Sequence, residues 1–195
     1  ECISQAKHRF PFAGYSVIGR TWCSRAIFSA CVGSGEESVL FCGGFGASDK
    51  LSSLVLMRFF ERLCLAYESD LKISGIKIRN ALGQRKICFV PLLNPDSLEI
   101  SRLGGDGAGC YRGLVTCAAN GNFVGWRSNA RGVDVAKNFD YDFPKAHGGI
   151  YPSPLGPNPT PGVVTIFTSF NIRLKKFQEE SPPGVFSQMY GASSP

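Results

Sequence analysis

Histidine is scarce in this chain, at two of 195 residues, and no two of the eight cysteines show the Cys-x-x-Cys spacing. His8 and His147 stand away from any close cysteine pair, which excludes a zinc knuckle or finger. Charged residues reach only 18%, too low a share for a disordered chain. Long apolar runs are missing, and none approaches the roughly 18 residues that a membrane-crossing helix requires. Basic runs are missing too. The net charge is +6, yet Lys and Arg are scattered in nothing longer than a pair such as Lys175-Lys176. Without a helix-turn-helix pattern or an aromatic motif for stacking bases, a nucleic-acid partner is not expected. The chain opens Glu-Cys-Ile-Ser, with neither an initiator Met nor a signal-like apolar stretch. A removed leader and an internal fragment both stay open.

What is present suits one domain with a sizeable core: 44% of residues are hydrophobic and the mean hydropathy is +0.00. Cys42 and Cys88 sit inside apolar runs and Cys64 on a helical apolar face, positions where cysteine acts as a small buried hydrophobe. Reduced thiols are the favoured reading, with Cys110 and Cys117 a candidate bridge in an oxidising compartment.

Residues 15–32 read as a strand or hairpin edge ending at Gly33-Ser34-Gly35. Ser38 to Cys42 reads as a short apolar strand stopped by Gly43-Gly44. The spacing of Leu51, Leu54, Val55, Arg58 and Phe59 predicts a helix over 50–67, capped by Ser48 or Asp49. Leu56, Phe60, Leu63 and Cys64 widen its apolar face, so it is expected to be covered on most sides. Residues 86–93 read as a second buried strand, followed by an Asn94-Pro95-Asp96 turn. Strand, helix and strand together predict an α/β sandwich around a mostly parallel sheet. The Gly-rich stretch from Gly104 to Asn122 reads as a long loop. Five prolines make 150–162 an extended loop. Residues 163–170 read as a last strand or a helix start, and 181–195 as a poorly ordered tail after one domain over 1–180.

Chemically, Gly44-x-Gly46 at the strand-to-helix junction lacks the third glycine of a dinucleotide loop, and Asp49 would repel a pyrophosphate. A tight turn is the better reading. Gly104 to Gly109 lacks the Gly-Lys-Ser/Thr ending of a phosphate loop. Asp140 and Asp142 suit a solvated turn better than a calcium site.

Four segments, in order, resemble the zinc carboxypeptidases of the carboxypeptidase A type. They are Ser16-Val17-Ile18-Gly19-Arg20 with Arg25-Ala26-Ile27; Glu37 to Phe45; Phe89-Val90-Pro91-Leu92-Leu93-Asn94-Pro95-Asp96; and Trp126 to Asp140, similar to the family's W-R/K-x-N-x-R-G-V-D-L-N-R-N-F-D run. The matches span about residues 14–143, with a flavour of the bacterial members that act on peptides or peptidoglycan stems. The resemblance implies a three-layer α/β/α sandwich around a mixed, mostly parallel sheet, with the C-terminal part missing. In the family a His-x-x-Glu motif and a later His hold zinc, which polarises the scissile carbonyl and acidifies a water. An arginine stabilises the oxyanion, an Asn-Arg pair grips the substrate carboxylate, and a distant Glu is the general base.

Carried over residue by residue, the His position is Gly46, which has no donor atom, and the Glu position is Asp49, a degenerate metal ligand one methylene shorter. Arg127 takes the oxyanion position. Ala136 and Lys137 replace the Asn-Arg pair, and Lys137 keeps the charge without the fork that suits a carboxylate. Arg131 is a second substrate-binding candidate, while Asp134 and Asn138 match the motif framework. His147 comes too early to be the third ligand. The implied protein retains no zinc and hydrolyses little or nothing. The alternatives are a peptide-binding module, a decayed gene product, and an enzyme that completes its site with another chain. A sheet cut partway through its order is expected to self-associate through its open edge.

Overall fold

A computed structural model describes residues 2–137. The calls on Asp140 and Asp142, His147, 150–162, 163–170 and the domain end near 180 lie outside the described residues. Helix α1 (Cys2–Arg9) leads into strands β1 (Gly14–Arg20), β2 (Ala26–Gly33) and β3 (Glu37–Cys42). Helix α2 (Lys50–Glu68) follows, then a small hairpin of β4 (Lys72–Ile73) and β5 (Ile76–Lys77), helix α3 (Ile78–Gln84) and strand β6 (Arg85–Val90). Helix α4 (Pro95–Leu103), a 3-10 stretch (Gly104–Tyr111) and helix α5 (Arg112–Ala119) come next. A final 3-10 turn covers Val135–Lys137.

The main sheet has the order β1-β2-β6-β3. β1 pairs antiparallel with β2, β2 antiparallel with β6, and β3 parallel with β6. The sheet is therefore mixed, as expected. Within the described part of this sheet, however, one pairing of three is parallel, so the mostly parallel character is not a property of this part. The parallel pair is the predicted strand–helix–strand unit: two parallel neighbours need a long crossover, and α2 supplies it.

One sheet face packs against α1, α2 and α3. Phe89 of β6 is fully buried at its centre, with the rings of Phe41, Phe59 and Phe60 at 5.7, 5.4 and 5.5 Å. Phe10 after α1 meets Phe60 edge-on at 6.2 Å. Tyr15 of β1 donates its hydroxyl to the carbonyls of Ala6 and Phe10, fastening the end of α1 to the sheet. On the opposite face Ile27, Val90 and Leu93 pack with Val133 and Val135 from the last described segment. A third cluster, around Ile100, Val115 and Trp126, joins α4, α5 and the chain that follows.

Four expectations need correction. The stretch 104–122 is mostly helical. Its glycines reflect close packing: a Cβ at Gly107 would lie 2.4 Å from the Glu99 carbonyl oxygen, and Gly109 bends the backbone at φ +56°. Helix α2 is not covered on most sides, since Leu51, Leu54 and Val55 are 71, 65 and 57% exposed. No described strand lies beyond β3, so this flank has nothing to pack on among the described residues. Asn94-Pro95-Asp96 is a helix start: the Asn94 side chain accepts from the Ser97 amide and proline takes the first turn, where its missing N–H costs nothing. Finally, Cys88 is not a free hydrophobe, because it forms a disulfide with Cys31, while Cys110 and Cys117 are both free and exposed. The partner of Cys88 comes from a strand 57 residues away, which local context does not show.

Phe89→Ala would remove the ring that links three others and leave a cavity, for a loss of about 3–5 kcal/mol of stability. Urea unfolding of the two proteins measures it, and a loss below about 1 kcal/mol would place the core elsewhere.

Candidate functional site

Because β3 and β6 run parallel, their carboxyl ends emerge side by side, where open α/β sheets bind ligands. Two turns leave from there and hold each other. The Gly43 amide donates to the Val90 carbonyl at 3.0 Å, and the Leu93 and Asn94 amides donate back to the carbonyls of Gly43 (3.0 Å) and Gly44 (2.9 Å). Gly44 adopts φ +64°, and a Cβ there would meet Ser53 Oγ at 2.6 Å and Leu92 Cα at 2.9 Å, so the turn accepts glycine alone. Ser52 closes it, accepting from the Gly44 amide and donating to the Asp49 carbonyl.

Buried side chains at the start of α4 then place the Trp126–Arg127 segment over the turn. Asn94 Nδ2 donates to the carbonyls of Phe45 (3.0 Å) and Arg127 (3.2 Å). Ser97 Oγ accepts from the Ala47 amide and donates to the Trp126 carbonyl, which also accepts from Ala47. Asp96 is fully buried and accepts from Thr21 Oγ1 at 2.7 Å, the Cys23 amide at 3.3 Å and the Arg25 guanidinium at 2.7 Å. Arg25 reaches on to the Gly107 carbonyl at 2.8 Å. Burial, then the nearby Asp96 charge, push the Cys23 thiol up to about 11, and as a thiol it donates to the Ala108 carbonyl. The β1–β2 hairpin, α4 and the 3-10 stretch thus meet at one carboxylate.

Between these parts lies an open cleft of about 200 Å³ lined by Phe45, Gly46, Ser48, Asp49, Arg127, Asp134 and Ala136. The structure brings Gly46, Asp49 and Arg127 together around this cleft and adds Asp134, which stands 3.8 Å from Arg127 Nε. Asp134 Oδ1 accepts from the Ala136 amide at 3.0 Å, and Asp49 accepts from the Phe45 amide at 3.3 Å. Ala136 offers the cleft a methyl where the family has an amide. Lys137 closes the last described 3-10 turn beside it. Arg131 does not line the cleft: its guanidinium lies 4.5 Å above the Trp22 ring, which in turn meets Tyr111 edge-on. Asn129 fixes that bend by accepting from the Arg131 and Val133 amides. Sequence reasoning missed the roles of Ser48 and of the Asn94–Ser97 clamp. The clamp does carry a signal, a capping Asn followed directly by Pro.

The described residues do not fit a zinc ion. Gly46 contributes no donor, Asp49 is one carboxylate, and among the described residues no three His, Cys, Asp or Glu side chains converge. Gly46 also lies close against the opposite segment. Its backbone is extended, and a Cβ would lie 3.1 Å from Arg127 Cα, a contact that an imidazole-bearing residue would have to push back by a few tenths of an ångström.

Comparison with known proteins agrees with this geometry. The Peptidase M14 family profile, described as zinc carboxypeptidase, matches residues 3–157. Gamma-D-glutamyl-L-diamino acid endopeptidase 1 of Lysinibacillus sphaericus is 24% identical over 139 residues, covering 70% of this chain and 35% of that protein. The uncharacterized protein YqgT of Bacillus subtilis is 26% identical over 183 residues, covering 89% and 47%. The crystal structure of carboxypeptidase A from Helicoverpa armigera superposes with a TM-score of 0.63 at 14% identity, covering 90% of this chain and 40% of that one. The chain thus spans less than half the length of these relatives. It belongs to the zinc carboxypeptidase family, peptidase M14.

Proposed function

We propose that this chain is a zinc carboxypeptidase-family domain that does not itself hydrolyse peptides. The observation that carries the reading is Gly46 in the cleft, at the place where the family's first imidazole belongs, with Asp49 as the one carboxylate of that motif. A catalytic zinc takes three protein ligands, and without tightly held metal no water is acidified for attack. The shell around the position supports the same reading. Asn94, Ser97 and the Gly43–Gly44 turn keep the scaffold rigid, so what has changed is donor chemistry and not the fold that presents it.

The cleft keeps an anion-binding element. Arg127 faces it from a segment fixed through its own carbonyl by Asn94, and a guanidinium suits carboxylates. We infer that the ligand class is a peptide with a free carboxylate, including stem peptides of peptidoglycan, and that Lys137, next in sequence to the cleft residue Ala136, adds positive charge. The name of the Lysinibacillus relative, which specifies gamma-D-glutamyl-L-diamino acid, supports acidic peptides of that kind. β3 is an edge strand among the described residues, and that edge with the exposed flank of α2 supports self-association of this chain.

Zinc analysis of the purified chain after exposure to the metal is expected to give well under one equivalent, with no release from C-terminal peptide substrates. Stoichiometric tight zinc would overturn the reading. Gly46→His with Asp49→Glu is expected to raise zinc affinity by more than the roughly 10–100-fold that an outer-sphere partner is worth. In calorimetry, peptides with free C-termini bind more tightly than their amidated forms, and Arg127→Ala weakens that binding by about tenfold or more, as loss of a hydrogen bond to a charged group predicts. Equal, negligible affinity for both peptide forms would remove the binding reading. In size-exclusion chromatography with light scattering, the chain is expected to elute as dimers or larger species, with Leu54→Glu shifting it toward monomer; a wild-type monomer at all concentrations refutes self-association.

A further inference from the structure

We propose that the Cys31–Cys88 disulfide is a reversible redox latch, which opens and closes within the folded sheet and tightens the strand that carries the site. The two residues are direct partners in the antiparallel register of β2 and β6, flanked by Ala30 opposite Phe89 and Val32 opposite Ile87. Their Cα atoms lie 4.1 Å apart, near the spacing of about 4.5 Å of a narrow antiparallel pair. The sheet itself therefore holds the sulfurs together. When the bond opens, the strand pairing remains, and the two thiols stay side by side and ready to rejoin. Both residues are half-buried, so a small thiol has access to the bond.

Exchange with a thiol of the glutathione class, RSH, balances simply. Its thiolate attacks one sulfur, the Cys31–Cys88 bond breaks, and the departing sulfur takes a proton. A second RSH attacks the mixed disulfide, giving RSSR and the second protein thiol. Two electrons pass from two RSH to the protein, and closure is the reverse with RSSR as oxidant. The neighbouring thiols do not interfere. Cys42, which shares this sheet face through its pairing with Val90, is pushed up to about 12 by burial, and Cys64 on the other side of the sheet also to about 12, chiefly by burial. Both stay protonated near neutral pH and do not capture the opened bond.

The bond reaches the site through β6. Beyond Val90 the turn that leaves β6 supplies Leu93 and Asn94, whose amides hold Gly43 and Gly44, so loosening β6 loosens the turn beneath the cleft. The test uses the full chain in glutathione buffers of graded ratio without denaturant. Alkylation with peptide mapping follows the state of each cysteine, thermal melting follows stability, and hydrogen exchange follows the turn. Expected are reversible loss and return of the Cys31–Cys88 peptide pair alone and a melting temperature lower by on the order of 10 °C when reduced, since the bond closes a loop of 57 residues. Faster exchange at Gly43, Gly44, Leu93 and Asn94 is expected in the same state. Cys31→Ser with Cys88→Ser should melt like the reduced protein and no longer respond to the buffer. The latch is overturned if reduction requires unfolding, if reoxidation yields other pairs, if the turn exchanges equally in both states, or if the double variant still shifts with the buffer.

Discussion

A carboxylate with no exposed surface holds this architecture in register. Asp96 sits at the first turn of α4 and is neutralised by Arg25, with Thr21 and the Cys23 amide filling its other lone pairs. A buried charge is tolerable only with such a complete set of partners, and removing one of them leaves the rest costly. The hairpin, α4 and the Gly-rich 3-10 stretch must therefore arrive together. Once they do, Asn94 and Ser97, on either side, are fixed to reach the Phe45, Arg127 and Trp126 carbonyls.

This clamp separates two things that are usually retained or lost together in an enzyme: the rigid frame and the reactive groups. The frame depends on backbone hydrogen bonds and buried polar side chains, each of which destabilises the fold if removed. At residue 46 the Arg127 segment approaches the glycine to within contact, a built Cβ lying 3.1 Å from Arg127 Cα. The frame and the metal donors are under different physical constraints: the frame is complete among the described residues, whereas Gly46 offers the cleft no donor atom.

The described sheet is also a partial one. Its one parallel pair and its aromatic core around Phe89 are well packed, while the flank of α2 bearing Leu51, Leu54 and Val55 faces solvent. The curated relatives are more than twice as long as the part they share with this chain. Stability in the shared part thus rests on the α1–α2–α3 face and on the Asp96 junction.

The sequence by itself determined the family, the strand–helix–strand unit, and the identity of the groups at the cleft. Gly46, Asp49 and Arg127 occupy fixed offsets inside contiguous motifs, and offsets survive without knowledge of the fold. Helix α2 was legible because its apolar spacing repeats over 19 residues. Other features depend on neighbours distant in the chain, and only the tertiary structure decided them. Gly104 to Tyr111 is half glycine, a poor helix former, yet coils where Gly107 lies against the Glu99 carbonyl of α4 and Gly105 against Thr116 of α5. Arg131 stacks on Trp22 because Asn129 folds the segment back, which takes it out of the cleft. Cys31 meets Cys88 because β6 inserts between β2 and β3, a strand order that no local pattern encodes.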